Sequence, residues 1–294
     1  MFALKYAIEK IGSDLVGAKV TVGRCSLNPL TQKLSIHHLE IYNQEGFPDK
    51  VFFSAPLIVV TINPIDLIQG KLHFPLIIFY TDKIMIYRNP KGKFNVYELK
   101  IVQEKLKEKN GGPLPNFTID TLKLNINQVV LEDQTSKPPV ITAYDLNLKD
   151  KTLHHIEGLP KLVGSILLES FKPTAIRGAQ LLVVNTLLGI GFLPGLAIGA
   201  AVAIDNVSAE ISKSYDFLYT ATLELIKNQG KIKKESSQTG QILAKVNGCD
   251  VTIQIKKSGW NASTITIKAR KYLLAKQEIA AGLLYQLKEQ INHR

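Results

Sequence analysis

Apolar residues along the first seventeen positions, MFALKYAIEKIGSDLVG, fall at helical spacing: Phe2 with Tyr6, and Leu4, Ile8 and Ile11. The spacing predicts a short amphipathic helix ending near Gly12, with Ser13 and Asp14 as turn formers. From Lys19 the period drops to two. KVTVGRCSLNPLTQKLSIHHLEIYN alternates apolar and polar residues, breaks at Asn28-Pro29, resumes with Leu34 and Ile36, and slips at His37-His38 before Leu39 and Ile41. That pattern predicts a hairpin with a bulge in its second arm. FFSAPLIVVTIN predicts a further strand and PIDLIQGK one helical turn. HFPLIIFYTDKIMIYRN, rich in β-branched and aromatic residues, predicts a long strand closed by the turn NPKGKFN.

VYELKIVQEKLKEKNGG predicts a helix with Val96, Leu99, Val102 and Leu106 on its apolar face and Gly111-Gly112 at its end. Two more strands follow, NFTIDTLKLNINQVVLEDQT and PPVITAYDLNLKDKTL, joined at TSKPP, and then the apolar-faced helix GLPKLVGSILLESF. So many strands with only short helices argue for a twisted antiparallel sheet rather than a parallel α/β fold. After residue 205 NVSAEISKS predicts a strand, and YDFLYTATLELIKNQG a helix with Phe217, Ala221 (or Leu218) and Leu225 inward. GQILAKV, DVTIQIKK and STITIKARK alternate as three strands, and KQEIAAGLLYQLKEQI closes with Ile279, Leu283, Leu287 and Ile291 on one face. The expected fold class is therefore α+β: a twisted antiparallel β-sheet groove with short helices over 1–175, then a compact β-α-β-β-β-α domain over 206–294.

Between them, residues 181–204 read LLVVNTLLGIGFLPGLAIGAAVAI without a charge. Thirteen of these residues are Leu, Ile, Val or Phe, worth roughly −6 kcal/mol in a bilayer on an insertion scale, and a helix of this length covers about 36 Å. Against a straight span stand Asn185, Pro194 and four glycines; Gly191, Gly195 and Gly199 repeat every fourth residue, a spacing that permits close helix packing. The segment 176–205 thus reads either as a membrane span or as a broken stretch, buried or dipping into one leaflet. Its candidate membrane-contact residues are Leu187, Leu188, Ile190, Phe192, Leu193, Leu196 and Ile198.

Composition narrows the partners more than the chemistry. The 294-residue chain carries a net charge of +11, and residues 251–294 hold eight basic residues against Glu278 and Glu289. Lys256, Lys257, Lys268, Arg270 and Lys271 are the candidates for contact with an anionic surface. Aromatics hardly interleave with them, Trp260 and Tyr272 apart, so nucleic acid is not the expected partner. Cys25 and Cys249 form neither a disulfide framework nor a zinc quartet. The N-terminal stretch, broken by Lys5, Glu9 and Lys10, has the look of neither a signal peptide nor an anchor helix.

No Walker loop, G-x-S-x-G, H-E-x-x-H or C-x-x-C occurs, and GIGFLPG misses the dinucleotide spacing. His37-His38 and His154-His155 are neighbours that point to opposite faces of a strand, poor geometry for one metal. No enzyme, cofactor or metal is expected.

Several of these stretches also carry a resemblance. Gly17-Ala18-Lys19-Val20, Asn43 with Gly46-Phe47, Ile65-Asp66-Leu67-Ile68-Gln69-Gly70, and Asn95 with Leu99 resemble the opening module of the AsmA-like family over about residues 3–175. YDFLYTATLELIKNQG and ARKYLLAKQEIAAGLLYQL are similar to a small α+β domain common in bacterial lipoproteins, although no cysteine precedes LPGLAIGAAVAI here. The resemblance implies a bacterial cell-envelope protein, periplasmic and membrane-associated, with an apolar β-groove for lipid handling or envelope assembly. It implies a phospholipid or other acyl lipid, an anionic membrane surface and an envelope protein as partners. On the long strands Ile77, Phe79, Ile84 and Ile86 are the expected groove lining. About eight strands span only roughly 40 Å, too little for a conduit between two membranes. The alternative is a structural or interaction module with a filled core, whose C-terminal domain docks a partner.

Overall fold

The computed structural model describes residues 2–48, 50–100, 102–103, 117–171, 206–272 and 274–292. Helix α1 runs Phe2–Val16, four residues beyond the expected stop. Gly12 does not end it because its bare Cα lets the helix pack on Val20, whose Cγ1 lies 3.3 Å from where a β-carbon would stand. Gly17, at φ +72°, ends it instead, its N–H returning to the Ser13 carbonyl at 2.9 Å. Two side chains of α1 then tie down the next strand: Ser13 Oγ accepts from Val20 N and Glu9 Oε1 from Val22 N.

Strands β1 (Val20–Asn28), β2 (Lys33–Tyr42), β3 (Val51–Thr61), β4 (His73–Arg88), β5 (Thr118–Asp133) and β6 (Val140–Glu157) form one sheet in sequence order, with β1 through β4 antiparallel. Helix α2 (Pro64–Ile68) joins β3 to β4, a 3-10 turn covers Asn95–Tyr97, and α3 (Gly158–Phe171) follows β6. The helix expected over 96–112 falls mostly outside the described residues. Val96, Leu99 and Val102 of its expected apolar face are buried.

A gap in the ladder crosses four strands. The β1–β2 pairing skips Gly23 and His38, the β2–β3 pairing skips His38 and Pro56, and the β3–β4 pairing lapses between Ser54↔Lys83 and Leu57↔Tyr80. Pro56 lacks the N–H a central strand needs, and His38 sits at φ +52°. The expected bulge is thus no extra residue. The register on either side of His38 is unchanged, and the irregular residue on each strand faces an irregular one on the next.

In the second unit β7 (Asn206–Ile211), β8 (Gly230–Ser236), β9 (Gln241–Val246), β10 (Cys249–Lys257), β11 (Ser263–Lys271) and β12 (Leu274–Ala275) build a second sheet. Its order is β12-β11-β10-β9-β8, with β7 also on β11. Helices α4 (Tyr215–Gln229) and α5 (Gln277–Asn292) share its core. Leu218, Leu225 and Ile226 of α4 and Ile279, Leu283, Leu287 and Ile291 of α5 meet the inward positions of β9, β10 and β11. Phe217, expected inward, is only partly buried at the margin, and Leu218 takes the central place.

Strand β8 was not legible from the sequence. GKIKKES has one half-buried apolar residue, Ile232, among charges, as suits an edge strand guarded by lysines. The chain falls into two compact units, and the boundary cuts the β5–β6 hairpin. Its tip, Val130–Tyr144, groups with the C-terminal elements rather than with the first sheet. The mixture of strands and short helices is α+β.

An apolar cavity in the N-terminal unit

Helix α1 presents Ile8, Gly12 and Val16, a row spaced four apart, toward the first sheet. Helix α3 presents Leu159, Val163 and Leu167, with Leu162 and Ile166 beside them. The sheet supplies Val20, Leu39, Ile41, Phe52, Phe53, Ile58, Phe79 and Ile84, and Leu99 completes the wall. Together they line a cavity of about 210 Å³ that is partly open to solvent. Among the described residues every lining residue is Ile, Leu, Val, Phe or Gly, so none of them brings a titratable group to it.

The ladder gap shapes this lining. Phe53 pairs with Ile84 and Ile58 with Phe79, one pair on each side of the gap. Five residues separate the two members on each strand, and in an unbroken strand such residues point to opposite faces. Here both pairs line the same cavity, with the unpaired stretch between them and no change of register.

Of the expected groove residues, Phe79 and Ile84 line the cavity, whereas Ile77 and Ile86 are buried outside it. The helical walls were not anticipated, although both four-residue rows are visible in the sequence. Leu187, Leu188, Ile190, Phe192, Leu193, Leu196 and Ile198, with Gly191, Gly195 and Gly199, lie outside the described residues. Among the described residues no helix is long and apolar enough to cross a membrane, and no group of three metal-ligating side chains occurs.

The five basic candidates of the second unit do not converge. Lys257 pairs with Ser263 at one end of the β10–β11 hairpin, and Arg270 with Asp250 at the other. Lys271 lies beyond Arg270, Lys256 beside Lys257, and Lys268 between the ends, opposite Thr252. Nine strand residues cover about 27 Å, too far for one compact anion site. Trp260 stands fully exposed at the tip of that hairpin.

A second constellation lies at one end of the first sheet. His73 Nδ1 meets Asp66 Oδ2 at 2.7 Å and Nε2 meets Asp120 Oδ2 at 2.9 Å. The hydrogen bond to Asp66, then that to Asp120, raises the imidazole above its usual range. Through these two contacts the ring ties α2 to β4 and β5, and when protonated it donates from both nitrogens.

No protein-family model matches this sequence, and no curated protein matches it either.

Proposed function

We propose that the protein is a non-catalytic, membrane-associated component of a bacterial cell envelope, of AsmA-like kind, that holds the acyl chain of a phospholipid or similar lipid. The all-apolar cavity between α1, α3 and the first sheet carries this reading. An open apolar pocket of this size leaves its walls facing water, and an apolar ligand that fills it removes that surface from water. Closed cavities of roughly 150 Å³ with such walls take hydrocarbon, and these apolar walls suit the same kind of ligand. Each methylene moved from water into the cavity contributes about 0.8 kcal/mol, so a short run of an acyl chain binds there favourably. A polar ligand would find no hydrogen-bond partner there.

The test is lipid extraction from natively purified protein followed by mass spectrometry, together with titration of the delipidated protein with a fluorescent fatty acid. Co-purified acyl lipid and saturable binding support the reading. Protein that carries no lipid and binds no fatty acid would sink it and leave the filled-core interaction module.

A further inference from the structure

We propose that the end of the first sheet carrying the β1–β2 turn, α2 and the start of β4 is a docking edge for a phospholipid bilayer, with Leu30, Ile65 and Ile68 entering its acyl region. Leu30 is 95% exposed, Ile68 86% and Ile65 65%, and Leu27 and Leu72 are exposed at the margin. The other strongly exposed large apolar side chains among the described residues of this unit, Tyr6, Ile11 and Tyr80, lie on α1 and in mid-β4.

The three side chains ride on fixed turns. Asn28 Oδ1 accepts from Leu30 N and Thr31 N, and Asn63 Oδ1 accepts from Ile65 N. Ile62 N donates to Gln32 O at 2.8 Å, joining the two turns, and His73 secures α2 through Asp66. Several large apolar side chains exposed on linked turns at one edge form surface suited to an apolar partner.

Two observations favour a bilayer over a protein. Lys33 and Lys71 are exposed beside these side chains, placed for anionic head groups, while the nearby acids Asp66 and Asp120 are both engaged by His73. The edge also leads to the cavity. Ile58 is three residues from the end of β3, roughly 10 Å, and Leu159 opens α3 just after Gly158 bonds the Phe117 carbonyl. This inference rests on the lipid-holding reading and adds the route by which an acyl chain arrives.

The experiment places an environment-sensitive NBD label at Leu30→Cys, Ile68→Cys and, as control, Lys91→Cys in the turn at the other end of β4. Cys25 and Cys249, at 4% and 3% exposure, stay unlabelled in the folded full-length chain. With vesicles of equal parts phosphatidylethanolamine and phosphatidylglycerol, the labels at 30 and 68 should brighten several-fold and be quenched by lipids spin-labelled on the acyl chain. The label at 91 should do neither. Labels at 30 and 68 that remain unquenched overturn the proposal, whether or not the protein sediments with vesicles. So does brightening that follows protein concentration without vesicles, which assigns the edge to a second copy. Fatty-acid binding with silent labels removes the docking edge alone; quenched labels without fatty-acid binding keep the edge and remove the lipid-holding reading.

Discussion

Asn95 donates a 2.7 Å hydrogen bond from Nδ2 to Oδ1 of Asn43, across 52 residues of chain. Asn95 is 1% exposed, donates also to the Met85 carbonyl and accepts from Tyr87 N. It thereby pins the end of β2 and the 3-10 turn to β4. Asn95→Ala strands these partners and should cost about 2–3 kcal/mol, Asn43→Ala about 1 kcal/mol. Urea unfolding of the singles and the double should give a coupling of at least about 0.5 kcal/mol. Strict additivity would remove the bond from the account of stability.

Gly282 on α5 lies against the backbone of Ile141, where a β-carbon would overlap the carbonyl oxygen. Gly282→Ala should therefore destabilise the second unit by about 1–3 kcal/mol through displaced backbone, although alanine favours helix. A thermal melt unchanged or raised by the substitution would contradict this packing.

Because the pKa of His73 is raised by folding, its contribution is complete below the free-imidazole value and lost as pH rises through the higher folded value. Amides near α2, such as Gln69 N on Ile65 O and Lys71 N on Asp66 O, should be better protected from hydrogen exchange at pH 6 than at pH 9, after correction for intrinsic rate. Asp66→Asn combined with Asp120→Asn should erase the difference. Its persistence in the double variant would place the pH effect elsewhere.

Val163 faces the cavity from α3 and is only half-buried. Val163→Trp should narrow the cavity and weaken fatty-acid binding roughly tenfold, about 1.4 kcal/mol, with little change in the melt. Equal affinity in the variant would move the acyl site off this cavity.

Burial raises the thiol pKa of Cys25, with Glu9 adding to it, and burial likewise raises that of Cys249. Both should be inert to a disulfide reagent at pH 8 and react only with unfolding. Fast reaction of either in native buffer would mean that its unit opens locally.

Much of the fold was legible because periodicity is local. The inward rows of β10, β11 and α5 could be read from IQI, ITI and the Ile279-Leu283-Leu287-Ile291 spacing, since each element satisfies its own pattern. Strand β8 was hidden because an edge strand needs only its backbone to pair, and its lysines carry no alternation. At α1, Gly12 read as a stop because local propensity cannot see Val20, the neighbour that makes a glycine useful inside a helix.

The sequence by itself determined most of the strands, most helix faces and the absence of familiar catalytic motifs. Only the tertiary structure decided that Gly23, His38, Pro56 and Thr81 stand in one row and that Phe79 and Ile84 share a cavity while Ile77 and Ile86 do not. It alone brought Asn43 to Asn95 and His73 between two acids. The physical reason is range: side-chain alternation is set within a few residues, whereas register between strands is set by partners tens of residues away, and a cavity exists only where several registers agree.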